Sequence, residues 1–413
     1  MEASRFPYRW LLFLGFLVPI GSAAQEPLTL RQAIQQALGE NPEVKAAIAN
    51  SIEAKSNAAL ARTQLLPQIN FTEDISRGND PVYVFASKLR QQRFRTADFD
   101  INSLNRPAPI GEFVSRFSGS WMAFDSFKTQ KAIRSADLMK KSADLSARAV
   151  NQRVVLDVVQ SYQSVLYGER QVAIAQHELD TAQGELALAW AQLRVAMGKP
   201  DLQETKLEPI EVHEFPQTAL EQELQTAARM RTDLQALTEA QSAQASAVSA
   251  ARWNYGPRVS AYGNAEQDRP SFTGTAGNSW MAGVQVNIDV MPFGKHAELA
   301  YENAAKARFD AQLVSYRQRV QLQVSQAHIQ RQTAQLSVET AQAAIDQANE
   351  SLRILRNRYG AGLATMTELL SAEDAERQSQ ANYWHAVYGN AMAYAQLLFA
   401  TGTLTPDAAE ELQ

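Results

Sequence analysis

The residue types that do most enzymatic chemistry are few in this 413-residue sequence, and their spacing builds no catalytic constellation. There is no cysteine, which removes disulfides, thiolate metal ligands and thiol nucleophiles together. His177, His213, His296, His328 and His385 stand in unrelated contexts, without the paired imidazoles or the i, i+4 carboxylate partner that a metal site needs. No phosphate-cradling Walker loop, dinucleotide fingerprint or nucleophile elbow occurs. Carboxylate pairs such as Glu373-Asp374 suit a solvated helix. The chemistry on offer is that of surfaces, so the expectation is a protein without enzymatic activity and without cofactor or metal.

Composition bears on the surfaces. The formal net charge of −5 leaves no basic footprint for nucleic acid. Ala, Gln, Leu, Glu and Arg dominate long stretches, while the 15 prolines and 19 glycines gather at a few boundaries, the usage of long helices. Residues 1–24 read as a secretory signal peptide: Arg5 and Arg9, an apolar run from Trp10 to Ile20, and a small-x-small site at Ser22-Ala23-Ala24. An uncleaved anchor is the alternative, but the run is short of the roughly 20 residues that span a bilayer. No cysteine at the cleavage site offers a lipid anchor.

The elements that must carry the surfaces come in two copies. Leu30–Ala37 aligns with Leu220–Ala227, and the same offset pairs Pro67 with Pro257 (257 − 67 = 190). Gln152–Gln160 aligns with Gln318–Gln326 (318 − 152 = 166), and Ala187–Leu193 with Ala391–Leu397 (391 − 187 = 204). The falling offset places 24 extra residues in repeat one before its long helix, within the polar 77–111 loop. The rising one places 38 extra residues (204 − 166) in repeat two. Residues 25–210 and 211–404 are the two repeats, with 405–413 a C-terminal tail.

Each repeat predicts a helix stopped by proline, two strands, and a helical hairpin. Strands are expected at about 68–77 and 113–124, then about 258–267 and 279–290. The clearest alternates Trp280, Ala282, Val284, Val286, Ile288 and Val290 with Gly283, Gln285, Asn287 and Asp289. That period gives an apolar face for lipid and a polar face for water over about the 9 to 11 residues of a tilted membrane strand; one strand of a soluble sandwich alternates in the same way. Helix is expected throughout 297–359, free of Gly and Pro, roughly 95 Å at the α-helical rise. It carries a heptad seam at Val338, Ala341, Ile345, Ala348, Leu352, Leu355 and Tyr359. Val172, Ala175, Leu179, Ala182 and Leu186 keep that frame in repeat one. Four strands cannot close a sheet; three chains would supply twelve.

At this point the chain resembles the TolC-type outer-membrane efflux protein family, from about Leu28 to Thr403. The carriers are Leu28–Leu38 with Asn41-Pro42, the helix-ending Leu66-Pro67-Gln68-Ile69, the strand-ending Phe124-Asp125 and the stretch Arg358–Leu370. The resemblance implies a mainly α protein with β: a two-repeat helix-strand-strand-helix protomer of a homotrimer. Its 12-stranded β-barrel would sit in outer-membrane lipid, continuous with a periplasmic α-helical barrel. It further implies a passive exit duct for efflux or type I secretion, coupled through a periplasmic adaptor to an inner-membrane transporter. Arg358–Leu370 then corresponds to the periplasmic tip of the 295–402 hairpin. Gly360 and Gly362 would reverse the chain, Leu363 and Thr365 would meet the adaptor, and Glu368 would line the pore entrance in a ring of three carboxylates. An ordinary hairpin loop explains the glycines equally, and an ordinary helix start explains Glu368.

Two features depart from the family's pattern. Ser371 replaces a second acidic residue found nearby in some members, and Ala364 replaces a basic residue that can latch the entrance shut. Repeat one, 38 residues shorter, would turn near Ala182–Gly184 and end well above repeat two; a turn at Met197–Pro200 is the other placement. The rival class is a periplasmic coiled-coil adaptor or scaffold without a pore.

Overall fold

The computed structural model describes residues 27–175, 179–209, 215–410 and 412; the proposed signal peptide, His177 and His213 lie outside them. Each repeat opens on a short helix bent into a longer one. In repeat one these are α1 (Leu30–Glu40) and α2 (Pro42–Thr63). Thr29 and Gln32 form a reciprocal capping box that starts α1. Asn41 ends α1 and starts α2, its side chain taking the Glu43 amide at 2.7 Å ahead of a proline at the first helical position. Strands β1 (Gln68–Gly78) and β2 (Ile110–Phe124) follow, separated by α3 (Pro81–Arg90), a single 3₁₀ turn and α4 (Ile101–Asn105). The long α5 (Lys128–Ile174) descends and α6 (Leu179–Met197) returns.

Repeat two has α7 (Leu220–Met230), α8 (Thr232–Trp253), β3 (Arg258–Arg269), β4 (Gly277–Asn287), α9 (Phe293–Gly360) and α10 (Met366–Thr401), and then α11 (Pro406–Glu410). Strand β4 begins and ends earlier than its alternation suggested, and Ile288 and Val290 lie just past its end. The C-terminal segment is no loose tail, since Ala409 and Leu412 are fully buried in the main core with Leu30, Ile34, Tyr162 and Leu404. The Tyr162 hydroxyl donates to the Leu28 carbonyl at 2.7 Å and accepts from the Glu208 amide at 3.0 Å, tying the two ends of repeat one together.

The repeats share a locking device. At each helix bend the return helix ends on a glycine in the left-handed region: Gly198 (φ +66°) against Asn41, and Gly402 (φ +77°) against Arg231. The pairs obey the sequence offsets (231 − 41 = 190; 402 − 198 = 204). A Cβ on Gly198 would come within 2.6 Å of the Asn41 Cα, and one on Gly402 within 2.8 Å of the Arg231 amide nitrogen. Both strain and clash against backbone therefore demand glycine. The bend residues reciprocate: Asn41 donates to the Ala196 carbonyl at 2.8 Å and Arg231 to the Ala400 carbonyl at 3.2 Å, again 204 apart.

Helix α5 ends at Ile174 and α6 begins at Leu179, so 182–184 lies inside the returning arm; Val172 belongs to the descending arm, Ala175 lies just past its end, and Leu179, Ala182 and Leu186 belong to the returning one. One continuous seam in repeat one is thereby ruled out. The returning helix that includes Ala187–Leu193 is as expected, and the Met197–Pro200 placement fails because α6 already returns before it. In repeat two the seam faces inward: Leu352 is buried, Val338, Ala341, Ile345, Ala348 and Leu355 are partly buried, and Tyr359 is exposed at its end.

Candidate functional site

Two features could carry function, a sheet that has two unlike faces and a pair of unequal hairpins. The sheet is antiparallel in the order β1-β2-β3-β4, and only one edge of β1 and one of β4 are paired among the described residues. The register aligns Phe71 with Phe117 and Phe117 with Ala265, then Ala265 with Trp280. One face therefore presents Ile69, Phe71, Phe117, Trp121, Ala261, Trp280, Val284 and Val286, apolar across all four strands. Trp280 is 80% exposed, and Val284, Val286 and Ile288 are comparably open. An apolar face this wide, turned to the outside, belongs against lipid or another protein. The opposite face presents Asn70, Thr72, Asp74, Arg116, Ser118, Asn264, Glu266 and Gln285, with Arg116 Nε donating to Glu266 at 2.6 Å across the strands.

The strand-to-helix turn after β2 explains the Phe124-Asp125 signature. Ser126 and Phe127 take positive φ, a sharp reversal that is sterically unfavourable for residues other than glycine. The buried Asp125 carboxylate accepts the Thr129 amide at 2.8 Å, and Ser126 Oγ donates to the Pro257 carbonyl at 2.7 Å. Gly256 leaves the space, since a Cβ there would lie 2.0 Å from Ser126 Oγ. The turn thus fastens the two repeats at the base of the sheet.

At the other end of the hairpins, α9 stops in a Schellman-type turn: the Leu363 amide donates to the Arg358 carbonyl at 2.8 Å and Gly362 to Tyr359 at 2.9 Å. Gly362 has φ +72°, a conformation that favours glycine, whereas Gly360 is the last helical residue and needs no such freedom. Leu363 is 69% exposed at the apex. Thr365 caps α10, and Glu368 completes a capping box, its carboxylate taking the Thr365 amide at 2.6 Å and hydroxyl at 2.9 Å. The backbone bond first, and then the hydroxyl, hold the Glu368 carboxyl below the usual carboxylate range. The T-x-x-E spelling at 365–368 already carries that signal.

The hairpins differ in reach. By the repeat offsets, α5 ends where α9 reaches residue 340 (174 + 166), so α9 runs 20 residues further (360 − 340). Likewise α6 starts at the equivalent of 383 (179 + 204), 17 residues after α10 begins (383 − 366). Repeat two therefore projects roughly 25 to 30 Å beyond repeat one.

The remaining histidines perform structural tasks. His296 Nδ1 bonds the Tyr255 hydroxyl at 3.0 Å, His328 Nδ1 pairs with the buried Glu223 at 2.8 Å, and His385 packs edge-on against Tyr167. No group of three or more His, Cys, Asp or Glu suited to a metal ion occurs among the described residues. Within the same residues no helix is long and apolar enough to cross a membrane. One structure was not foreseen: α3, which folds back over the polar face at the loop end of the sheet.

An open four-stranded sheet with an apolar outer face, standing on long helical hairpins, defines a channel protomer rather than an enzyme or an adaptor. The sequence matches the model of the outer membrane efflux protein family over residues 33–201 and 224–403, and the chain belongs to that family. It is an outer-membrane efflux channel protein, and the fold agrees with solved channels. CusC superposes with a TM-score of 0.74 at 17% identity, covering 90% of this chain and 92% of that one. MtrE of Neisseria gonorrhoeae, in its open state, gives 0.72 at 15% identity over 91% and 90%. CmeC of Campylobacter jejuni gives 0.70 at 16% over 93% and 89%. No curated protein matches significantly in sequence.

Proposed function

We propose that three chains close one 12-stranded barrel in the outer membrane, edge β4 of each pairing with edge β1 of the next, and that their hairpins continue the duct into the periplasm. The carrying observation is the sheet: four strands, two edges unpaired among the described residues, and one face that is apolar across all four strands between its base and the Phe71–Trp280 row. Closure removes the edges that would otherwise invite aggregation. Export by the 1–24 signal peptide, without lipid attached at its cleavage site, delivers the chain to that membrane.

The duct serves an inner-membrane transporter through a periplasmic adaptor, and the adaptor meets the three long tips around Gly360, Gly362, Leu363 and Thr365. The exposed Leu363 and the glycine turn support this assignment. Glu368 of each chain lines the entrance. Its capping bonds keep it ionised at neutral pH, so three carboxylates in one ring would attract cations. The capping contribution is present above the ordinary glutamate range and is lost as pH falls through the lowered value.

Single-channel recording on reconstituted protein tests the ring. Glu368→Gln retains a capping amide and removes the charge; it is expected to reduce cation preference and cation conductance, with thermal stability within about 1 kcal/mol of the parent. Unchanged selectivity would leave Glu368 with its helix-capping task alone.

A further inference from the structure

Where α3 covers it, the polar face of the sheet carries buried oxygens without partners. Asp268 is fully buried, and neither of its carboxylate oxygens has a hydrogen-bond partner. The same holds for Oε1 of Glu112 and Oε1 of Gln91, in side chains that are 3% exposed. The register places them together. Asp268 pairs with Val114, so Glu112 lies two residues along β2 on the same face, its diagonal neighbour. Gln91, at the end of α3, donates through Nε2 to the carbonyls of Gly111 and Arg269, at 3.1 and 3.4 Å, the residues adjoining Glu112 and Asp268. Those two carbonyl acceptors fix the orientation of the amide, so its oxygen is the atom left over.

The neighbouring cations do not fill the gap. Arg116 is engaged by Glu266 at 2.6 Å, and the Glu266 carboxylate also lies beside Asp268, adding negative charge. Arg269 bonds Glu73 at 2.9 Å and Ser115 at 2.6 Å on the apolar side of the sheet. The half-exposed Arg90 comes no closer to Glu112 Oε1 than 3.9 Å. Buried carboxylate oxygens left without partners are costly in the ionised form, and ordinarily they are paired, take up a proton or bind metal.

We propose that Asp268, Glu112 and Gln91 form a site for a hard divalent cation of the calcium type, which pins α3 across the polar face of the sheet. Two carboxylates and an amide oxygen suit a cation that prefers oxygen and completes its shell with water; they do not suit zinc. The other contacts of α3 agree with a pinned lid. Ser87 donates to Glu112 Oε2 at 2.7 Å, Tyr83 and Ser76 share a hydrogen bond at 2.9 Å, and Gln92 donates to the Asn278 carbonyl at 3.2 Å. In the barrel, three such lids would narrow the outer mouth.

Calorimetric titration of CaCl₂ into EDTA-treated, detergent-purified protein tests the site. One ion per chain is expected, with a Kd of about 1 mM or tighter as in extracellular calcium modules, and Asp268→Asn should lose it. No binding by the parent protein, or undiminished binding by Asp268→Asn, would overturn the proposal. This arm needs only the chain's own strands and α3, so its outcome is independent of the channel reading. In planar bilayers, calcium should lower the conductance of the parent and leave that of Asp268→Asn unchanged; an equal response of both would remove the lid from the proposal.

Discussion

Deleting residues 341–382 and joining 340 to 383 through the segment 175–178, which connects the arms of repeat one, is expected to abolish efflux while leaving channel assembly intact. The deletion takes 20 residues of α9, the five of the tip and 17 of α10, and makes both hairpins equal in reach. Nothing in it touches the sheet, the Gly402–Arg231 lock or the core around Tyr162 and Leu404. The amount of protein in the outer membrane should therefore match the parent, whereas cross-linking to the adaptor and export by the cell should fall to the level of a strain lacking the chain. The physical reason is distance. Tips roughly 25 to 30 Å higher cannot meet a partner that seats on Leu363 and Thr365. If export persists, the short hairpins are sufficient for docking and the long ones perform another task.

A charge on the outer face of the sheet should be equally damaging. Val284→Lys is expected to cost about 2–4 kcal/mol per chain if its position is near the bilayer midplane, a penalty that three copies in one barrel would multiply. The adjacent Gln285→Lys places the same charge on the polar face, beside Ser260 in the register, and should assemble normally. Heat-modifiable oligomer on gels of outer-membrane extract reports both. Equal yields would mean that the alternation has been assigned to the wrong environment.

How much of this was legible in the sequence varied with the strength of the local signal. Strand β4 and the α9 seam were readable because period two and the heptad persisted over many residues, and the tip because Gly360 and Gly362 mark a stop. The end of α5 at Ile174, ahead of the expected 182–184, was not readable for the converse reason. Ala175-Gln176-His177-Glu178 contains neither glycine nor proline, while Gly184, the residue that drew attention, sits inside α6 with open space about it. The α3 lid escaped notice because its contacts are between single polar residues on different elements, such as Ser87 with Glu112 and Gln91 with Gly111. Such pairs leave no periodic trace. The locks at Gly198 and Gly402 were discoverable, since their offset matches that of the return helices, but only the positive φ and the backbone approach reveal what the glycines do.

The chain's lack of cysteine makes barrel closure directly measurable. A cysteine at Asn70 on β1, combined in turn with one at Met281, Gly283 or Gln285 on β4, places both thiols on the polar face of the two free edges. Oxidation in outer membranes should give, for the pair in register, a ladder of one, two and three chains that stops at three. Protein recovered as a soluble periplasmic monomer, or a ladder that continues past three chains, would contradict a closed trimer.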